Sequence, residues 1–154
     1  MDSGDRSQGL LVHAGARACL LPLRDVVETM RPQPVERLVG TPHFVMGVSV
    51  VRGSAVPVVD LGSVVGTSGA GPPARFVTIR LGDRTAALAV SQVVGVRDLD
   101  TALLDQMPPL LQGAHADVVQ AMGTLDAQLL MVLRSSRLLP EDVWTAVAAH
   151  GGCS

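Results

Sequence analysis

A strand–turn–strand pattern occurs twice in this sequence, and this repeat constrains the fold more than any other feature. The segment "VHAGARACLLPLRDVVETM" (12–30) aligns without a gap with "IRLGDRTAALAVSQVVGVR" (79–97). Farther along, "VVRGSAVPVVDLGSVV" (50–65) aligns with "TLDAQLLMVLRSSRLL" (124–139), apolar residue over apolar residue. Each half therefore contains a hairpin, a valine-rich strand, a loop and a second hairpin. About five short strands per half, dense in β-branched residues, predict an all-β fold of two small antiparallel barrels.

Several strands are apolar on both faces, which indicates that both faces are buried. Hydrophobic residues make up 47% of the 154 residues and aromatic residues only 2%, so aliphatic side chains must fill the core. We expect one face of each such strand to lie inside a barrel and the other to pack against the second barrel. The residues behind this expectation are Val48, Val50, Val51, Val56, Val58 and Val59.

Composition divides the chain into a tail, two subdomains with a linker between them, and a C-terminal segment. The linker signal is "GTSGAGPPA", and "PEDVWTAVAAH" predicts a short helix. Residues 10–139 are expected to form one unit in which each barrel comes largely from one half, with or without exchange of a terminal strand. The expected segments are a flexible tail (1–9), subdomain one (about 10–66), a linker (67–75), subdomain two (about 76–139) and a C-terminal helix with its tail (140–154).

The charge pattern argues against two classes of partner. The net charge is −2, and the arginines are scattered singly with acidic residues between them, so no basic stripe could follow a nucleic-acid backbone. No apolar run reaches the roughly 18 residues of a membrane helix, and "MDSGDRSQG" lacks the pattern of a secretory leader. We therefore expect a cytoplasmic protein with no nucleic-acid partner and no direct membrane insertion.

Residues that could perform catalysis or hold a metal are not clustered in the sequence. The histidines lie in four separate segments, and the two cysteines have neither a metal-site spacing nor a disulfide framework. "GTSGAGPPA" lacks the lysine of a phosphate-binding loop, and no serine-hydrolase elbow is present. The sequence therefore predicts no enzymatic activity, no cofactor and no metal.

Two charged residues interrupt apolar sequence, Glu28 in "DVVETM" and Arg52 after "VSVV". Because an isolated buried ion is costly, each must face water at an edge or belong to a pair. An arginine offers a fork of donors that suits a carboxylate at an interface. The competing interpretation is an ordinary surface arginine in a hairpin turn, with Gly53 supplying a positive φ. Both interpretations stay open on the residues alone.

The segment "TPHFVMGVSVVRGSAVPVVDL" (41–61) resembles the signature of the CheW family of chemotaxis coupling proteins. In that family a Pro-x-Phe-x-x-Gly-Val segment leads into an Asn-Leu-Arg-Gly turn and a Pro-Val-x-Asp-Leu-Arg strand. The resemblance extends over nearly all of residues 10–139, including "DVVETM", "FVTIRLGDRTAALAV" and "LLMVLRSSRLL". It implies two five-stranded SH3-like barrels packed around a shared apolar interface.

The resemblance also implies a non-enzymatic adaptor. Its partners would be the cytoplasmic tip of a methyl-accepting chemoreceptor and the regulatory domain of a CheA-type histidine kinase, joined in a chemosensory array. Transferred position by position, Glu28 and Arg52 would be polar anchors in a receptor-facing groove between the barrels. Val26 and Val48 would supply apolar contact, and Gly53 would complete the partner-binding turn.

Three positions depart from the family pattern. Val50-Val51 stands where the family has Asn-Leu, Gly62 replaces an arginine, and Val90-Ser91 replaces Val-Asp. These changes fit either drift within a tolerant fold or a specialised CheW-like protein that binds only one of the two partners. A hypothesis from a different class is a small-ligand-binding β-barrel, which predicts a pocket of several hundred cubic ångströms with a few inward polar groups.

Overall fold

Strands make up most of the structure, as the valine-rich pattern predicts. The computed structural model describes residues 6–64, 73–100, 119–125, 128–133 and 141–151. The strands are β1 (Arg6–Ala14), β2 (Arg17–Pro22), β3 (Val26–Met30), β4 (Val45–Val51), β5 (Ser54–Asp60), β6 (Arg75–Leu81), β7 (Arg84–Val90), β8 (Gln92–Asp100), β9 (Val119–Leu125) and β10 (Gln128–Leu133). The helical elements of the described residues are a 3-10 turn (Leu23–Asp25), α1 (Leu61–Val64) and α2 (Glu141–Gly151). The predicted all-β class with minor helix is confirmed.

Two five-stranded sheets form the two barrels. Barrel A has the strand order β8–β1–β2–β10–β9, and barrel B has the order β3–β6–β7–β5–β4. Neighbouring strands are antiparallel except for β2–β10 and β5–β7, which are parallel. The predicted architecture of two barrels is confirmed.

The barrels exchange a whole hairpin, which differs from the expected grouping by halves. The β1–β2 hairpin pairs with β8 and β10, while the β6–β7 hairpin pairs with β3 and β5. The first crossing follows Pro22, where the 3-10 turn leads from β2 in barrel A to β3 in barrel B. The expected subdomains (10–66 and 76–139) therefore do not each contain one barrel, and the exchange is larger than a terminal strand. Most of the expected linker (67–75) lies outside the described residues.

The sequence repeat is also a structural repeat. Strands β1–β5 correspond in order to β6–β10, and replacing each strand by its counterpart converts the strand order of barrel A into that of barrel B. The matched β1–β2 and β6–β7 turns each begin with a glycine of positive φ, 62° at Gly15 and 72° at Gly82. Two-residue hairpin turns require this left-handed backbone, which glycine adopts without strain.

The N-terminal strand begins inside the segment expected to be a flexible tail (1–9). Arg6 pairs with Asp100 and Gly9 pairs with Pro22, so backbone pairing to β8 and to the end of β2 holds residues 6–9. At the other end, α2 lies within the segment predicted to contain a helix. Neither helix in the described part of the chain has the length and apolar character needed to cross a membrane.

Two apolar clusters fill the described part of the molecule. The interbarrel core collects side chains from both barrels and from α2, including the fully buried Val59 and Val143. The inner core of barrel B contains Phe76 and Val58, also fully buried. Successive residues of β5 therefore serve different cores, and burying each such side chain contributes about 1.5–3 kcal/mol. Among the six valines expected to be buried, Val50 is the exception, with 69% of its surface exposed.

The segment between β3 and β4 runs along the outer edge of β4. The sequence "RPQPVERLVGTPHF" predicts a loop or a single helical turn, and the structure shows extended chain with one antiparallel bridge between Glu36 and Val48. Prolines cannot donate to a ladder, so the bridge stays isolated, while the Ser49 hydroxyl donates to the Pro34 carbonyl at 2.6 Å. A Cβ at Gly47 would overlap the Glu36 carbonyl, so this close approach requires glycine. The segment thereby covers part of the outer edge of β4.

Candidate partner-binding site

Glu28 and Arg52 form a bidentate ion pair on the surface of barrel B. The Arg52 Nε donates to Glu28 Oε2 at 2.8 Å, and Nη2 donates to Oε1 at 2.6 Å. Two parallel hydrogen bonds to one carboxylate are the arrangement for which the guanidinium fork is suited. The structure therefore brings together the two charged residues that the sequence singled out, 24 positions apart.

The pair joins the two edge strands of barrel B. Glu28 lies in β3, and Arg52 lies in the turn that follows β4. A bulge between Val26 and Glu28 shifts the register of β3 so that Glu28 stands opposite Thr78. The Thr78 hydroxyl donates to the Glu28 backbone carbonyl at 3.3 Å, which fixes the strand at this point. The ion pair therefore spans the seam between the first and last strands of the sheet order.

Both members of the pair are held in their charged forms. The hydrogen bonds from Arg52 lower the pKa of Glu28, with burial opposing the shift in part, and the hydrogen bonds to Glu28 raise the pKa of Arg52. The Arg52 side chain is 75% exposed and that of Glu28 is 26% exposed, so solvent screens their attraction. An exposed ion pair of this kind contributes little to the free energy of unfolding.

Arg52 occupies a backbone conformation that arginine rarely adopts. Its φ is 54° and that of Gly53 is 81°, so both central residues of the two-residue turn are left-handed. Turns of this type favour Asn-Gly or Gly-Gly, because a Cβ at positive φ crowds the backbone. In the described part of the chain, Arg52 is the non-glycine residue with positive φ. Strain retained at an exposed residue points to a role for its side chain.

The other predicted contact residues are placed differently from one another. Val26 is half-buried against the interbarrel core, and Gly53 is exposed in the turn, where an added Cβ would meet nothing within 4 Å. Val48 is 4% exposed, so its side chain belongs to the interbarrel core and does not reach a partner surface. Two valines that the sequence analysis did not propose as contacts, Val27 and Val50, are 47% and 69% exposed. The sequence alone did not predict which valines of such a run are exposed, because every position is equally apolar.

One of the three departures from the family pattern changes the exposed surface. Gly62 is buried in α1. The Ser91 hydroxyl accepts a hydrogen bond from the Gly15 N–H at 2.8 Å, so this serine stabilises the β1–β2 turn. Val50 is exposed and lies two residues before Arg52. The surface effect of the departures is therefore concentrated at Val50.

A groove of about 350 Å³ lies between the start of β5, the β6–β7 turn and α2. Trp144 lines this groove, and the Arg84 guanidinium carbon sits 5.0 Å from the centroid of its ring, a cation–π contact. The groove lies at the end of barrel B where β5 begins and β6 turns into β7, whereas Phe76 and Val58 pack together inside the barrel. The described residues therefore give no support to an internal ligand pocket.

The described residues hold no group of three or more His, Cys, Asp or Glu side chains arranged to bind a metal ion. Cys19 is fully buried, and desolvation raises the pKa of its thiol to about 12, so it stays protonated and unreactive. On the surface of barrel B, Glu28 and Arg52 can therefore contribute hydrogen bonds and charge to the binding of another molecule.

Known proteins share this sequence pattern and this fold. The sequence model of the CheW-like domain family matches residues 8–143. The chain is 34% identical to protein FrzA of Myxococcus xanthus over 135 residues, which cover 83% of this chain and 82% of that protein. Over 59 residues it is 37% identical to part of the chemotaxis protein CheA of Cereibacter sphaeroides, covering 38% of this chain and 8% of that protein. The crystal structure of the scaffolding protein TtCheW from Thermoanaerobacter tengcongensis has the same fold, with a TM-score of 0.73 over 83% of this chain and 88% of that one at 21% identity.

Proposed function

Because the chain belongs to the CheW-like domain family, we propose that it is a non-enzymatic adaptor that couples chemoreceptors to a CheA-type histidine kinase in a cytoplasmic chemosensory array. An adaptor requires surfaces that recognise two proteins, and it requires no reacting group. The observation that carries the proposal is the Glu28–Arg52 pair, which is exposed, adds little stability and is presented from a strained turn.

The proposed receptor-facing surface is the seam of barrel B, defined by Glu28, Arg52 and the exposed valines of the edge strands, Val27 and Val50. A guanidinium has five N–H donors, and two of those on Arg52 bond to Glu28, which leaves the others for acceptors on a partner. The valines supply apolar area beside these donors. Interfaces commonly concentrate their binding energy in such an arginine surrounded by apolar contacts. Val26 packs against the interbarrel core beside the seam, and Val48 is buried in that core, so it is not part of the proposed surface.

The proposed kinase-facing surface is the end of a barrel, paired with the regulatory domain of the kinase. The support for this half of the proposal is the family relation, since part of a CheA protein is 37% identical to this chain over 59 residues. A kinase with such a segment presents a surface related to that of the adaptor. Related surfaces can meet in a nearly symmetric pair, in which equivalent patches contact each other.

The proposal is tested by replacing Arg52 with asparagine. Asparagine tolerates the left-handed turn better than arginine, so Arg52→Asn should keep or raise the melting temperature while removing the guanidinium. We expect the affinity for a coiled-coil fragment of a methyl-accepting receptor tip to fall by on the order of tenfold or more, as for an interface arginine. Calorimetric titration of the receptor fragment and of the kinase regulatory domain, side by side, measures both contacts.

The matched control is Arg97→Gln on β8, the counterpart of β3 in barrel A. Arg97 is exposed and its guanidinium donates to the neighbouring Val96 carbonyl at 3.0 Å, so the variant removes the same charge away from the seam. Its affinity for the receptor fragment should stay within about twofold of the wild type. Parallel losses of stability and affinity in Arg52→Asn would make Arg52 a structural residue and overturn the receptor-facing assignment. Wild-type binding to one partner alone would favour the specialised protein, for which the exposed Val50 is the supporting observation.

A further inference from the structure

Beside the seam of barrel B, on the strand next to β3, lies a charged residue that the ion pair does not use. Arg80 lies on β6, is exposed, and its guanidinium has no hydrogen-bond or ion-pair partner among the described residues. Strand β6 pairs with β3 so that Thr78 stands opposite Glu28. Residues two apart on a strand point to the same face, so Arg80 shares the face of Thr78 and is the diagonal neighbour of Glu28.

The Glu28 carboxylate does not neutralise Arg80. Diagonal neighbours on paired strands lie about 7–8 Å apart, within the range of a long side chain, but each Glu28 oxygen already accepts a hydrogen bond from Arg52. Arg52 therefore holds this carboxylate, and Arg80 lies on the adjacent strand without an ion pair to it. Among the described residues the structure records no ion pair for Arg80, so its guanidinium remains available to a partner.

The neighbouring arginines on the same hairpin have contacts of their own. Arg75, at the far end of β6, donates to the Ala74 carbonyl at 3.0 Å. Arg84, at the start of β7, lies over the ring of Trp144. Arg80 thus differs from both, because its charge is presented to solvent without an intramolecular contact in the described residues.

We propose that Arg80 binds a carboxylate on the receptor tip, beside the Glu28–Arg52 pair, and so selects receptors that carry an acidic side chain at that point. The inference rests on the proposed receptor-facing surface. A guanidinium grips a carboxylate through two parallel hydrogen bonds, and a partner carboxylate would balance two arginines with two acids. Complementary charge at the rim of an interface raises the association rate and excludes partners with the wrong sign. Arg80 is therefore a specificity-determining residue of the seam.

The experiment uses the full chain and the coiled-coil fragment of a methyl-accepting receptor tip as the probe. Titrations of wild type, Arg80→Gln, Arg80→Glu and the control Arg97→Gln are run at low and at high NaCl concentration. We expect Arg80→Gln to weaken binding by roughly five- to tenfold at low salt, Arg80→Glu to weaken it further, and Arg97→Gln to change it by less than about twofold. The difference between wild type and Arg80→Gln should shrink at high salt, because screening removes the charge contribution. Melting temperatures of all variants should agree, since Arg80 is exposed.

A charge exchange identifies the partner group. Each Asp and Glu of the receptor tip is changed to Lys in turn, and one of these variants should bind Arg80→Glu better than it binds the wild type. If Arg52→Asn weakens binding of the receptor fragment but Arg80→Gln does not, the inference about Arg80 is overturned and the proposed function is retained. Absence of wild-type binding to the receptor fragment would overturn both. Weakening by Arg80→Gln without rescue by any exchanged acidic position would overturn the assignment of a carboxylate.

Discussion

Strands β3 and β8 hold matching positions in the two halves and each is an edge strand of its barrel, but they differ at the residue that forms the site. Glu28 in β3 corresponds to Gly95 in β8, which has no side chain with which to form an ion pair. The counterpart of Arg52 is Asp126, which lies outside the described residues. The repeat is therefore kept in the apolar strands and the turns, and broken where barrel B presents charge. The seam proposed to face the receptor therefore lies where the two halves differ in charge.

The two barrels also fill matching core positions with side chains of opposite size. Phe76 in barrel B corresponds to Gly9 in barrel A, and Ala87 corresponds to Leu20. Phe76 and Ala87 lie together in the inner core of barrel B, whereas a Cβ added at Gly9 would overlap the Leu20 side chain. Each barrel therefore combines one large and one small residue at this place. The position of the large side chain is therefore exchanged between the two strands of the hairpin, as close packing allows.

The largest expected loss of stability comes from removing the large side chain of this pair in barrel B. Phe76 is fully buried, so Phe76→Ala should reduce the free energy of unfolding by about 3–5 kcal/mol through lost burial and a residual cavity. Urea unfolding followed by circular dichroism measures the loss from the shift in midpoint at constant slope. Adding Ala87→Leu to Phe76→Ala imitates the arrangement of barrel A and should recover part of the stability. A double variant no more stable than Phe76→Ala would show that the two barrels are not packed equivalently at this position.

The next effect concerns the segment that covers the edge of β4. Gly47 has φ 148° and no room for a Cβ beside the Glu36 carbonyl, whereas its counterpart in β9 is Ala121. Gly47→Ala should therefore destabilise the protein by about 2–4 kcal/mol, from backbone strain together with displacement of the segment. The control is Gly40→Ala, where φ is 82° and a Cβ would meet nothing within 4 Å, so it reports the strain alone. Equal losses in the two variants would mean that the close approach to Glu36 carries no cost.

Local patterns in the sequence predicted the elements of this fold, and long-range pairing decided what they did not predict. Short-range patterns and the resemblance predicted the two hairpins at Gly15 and Gly82, the two barrels and the family. They also singled out Glu28 and Arg52 as candidate site residues. The fold and the family are confirmed. The exchange of hairpins does not follow, because a hairpin apolar on both faces fits either sheet equally well. The pairings between the halves, β1 with β8, β2 with β10, β3 with β6 and β5 with β7, distinguish the two arrangements.

The surface residues were harder to predict for the same reason. The resemblance gave Val48 a partner contact, but Val48 is buried, while Val50, expected to be buried, is exposed. The register shift in β4 between Val45 and Gly47 lies in the same run of apolar residues. Arginines scattered singly along the sequence predicted no basic surface. In the fold, however, Glu28 lies between two arginines. Strand β6, which carries Arg80, pairs with β3 on one side, and Arg52 in the β4–β5 turn bonds to Glu28 from the other. Sequence distance thus hid a local charge pattern that the barrel creates.

The smallest expected effect is the pH dependence of stability that comes from Glu28 in β3, which has no equivalent in β8. Hydrogen bonds from Arg52 lower the pKa of Glu28 from its ordinary value of 4.5, and Gly95 has no group to titrate. A carboxylate whose pKa is lower in the folded state stabilises the fold above its unfolded pKa, and this contribution is lost as the pH falls through the folded-state value. The stability difference between wild type and Glu28→Gln should therefore be constant from neutral pH down to about pH 5.5 and should shrink below that. The effect is small because the Arg52 side chain is 75% exposed and the pair is screened.

The direct measurement is the carboxyl carbon shift of Glu28 in an NMR titration, recorded for wild type and for Arg52→Asn. Removing the guanidinium removes the hydrogen bonds that favour the ionised form, so the pKa of Glu28 in Arg52→Asn should rise toward its ordinary value. The control Arg97→Gln, on the strand that matches β3, should leave the pKa of Glu28 where it is in the wild type. An unchanged Glu28 titration in Arg52→Asn would mean that the two side chains do not stay paired in solution. In that case the asymmetry between β3 and β8 would be one of residue type alone, and the seam would lose the polar anchor on which receptor binding is proposed to depend.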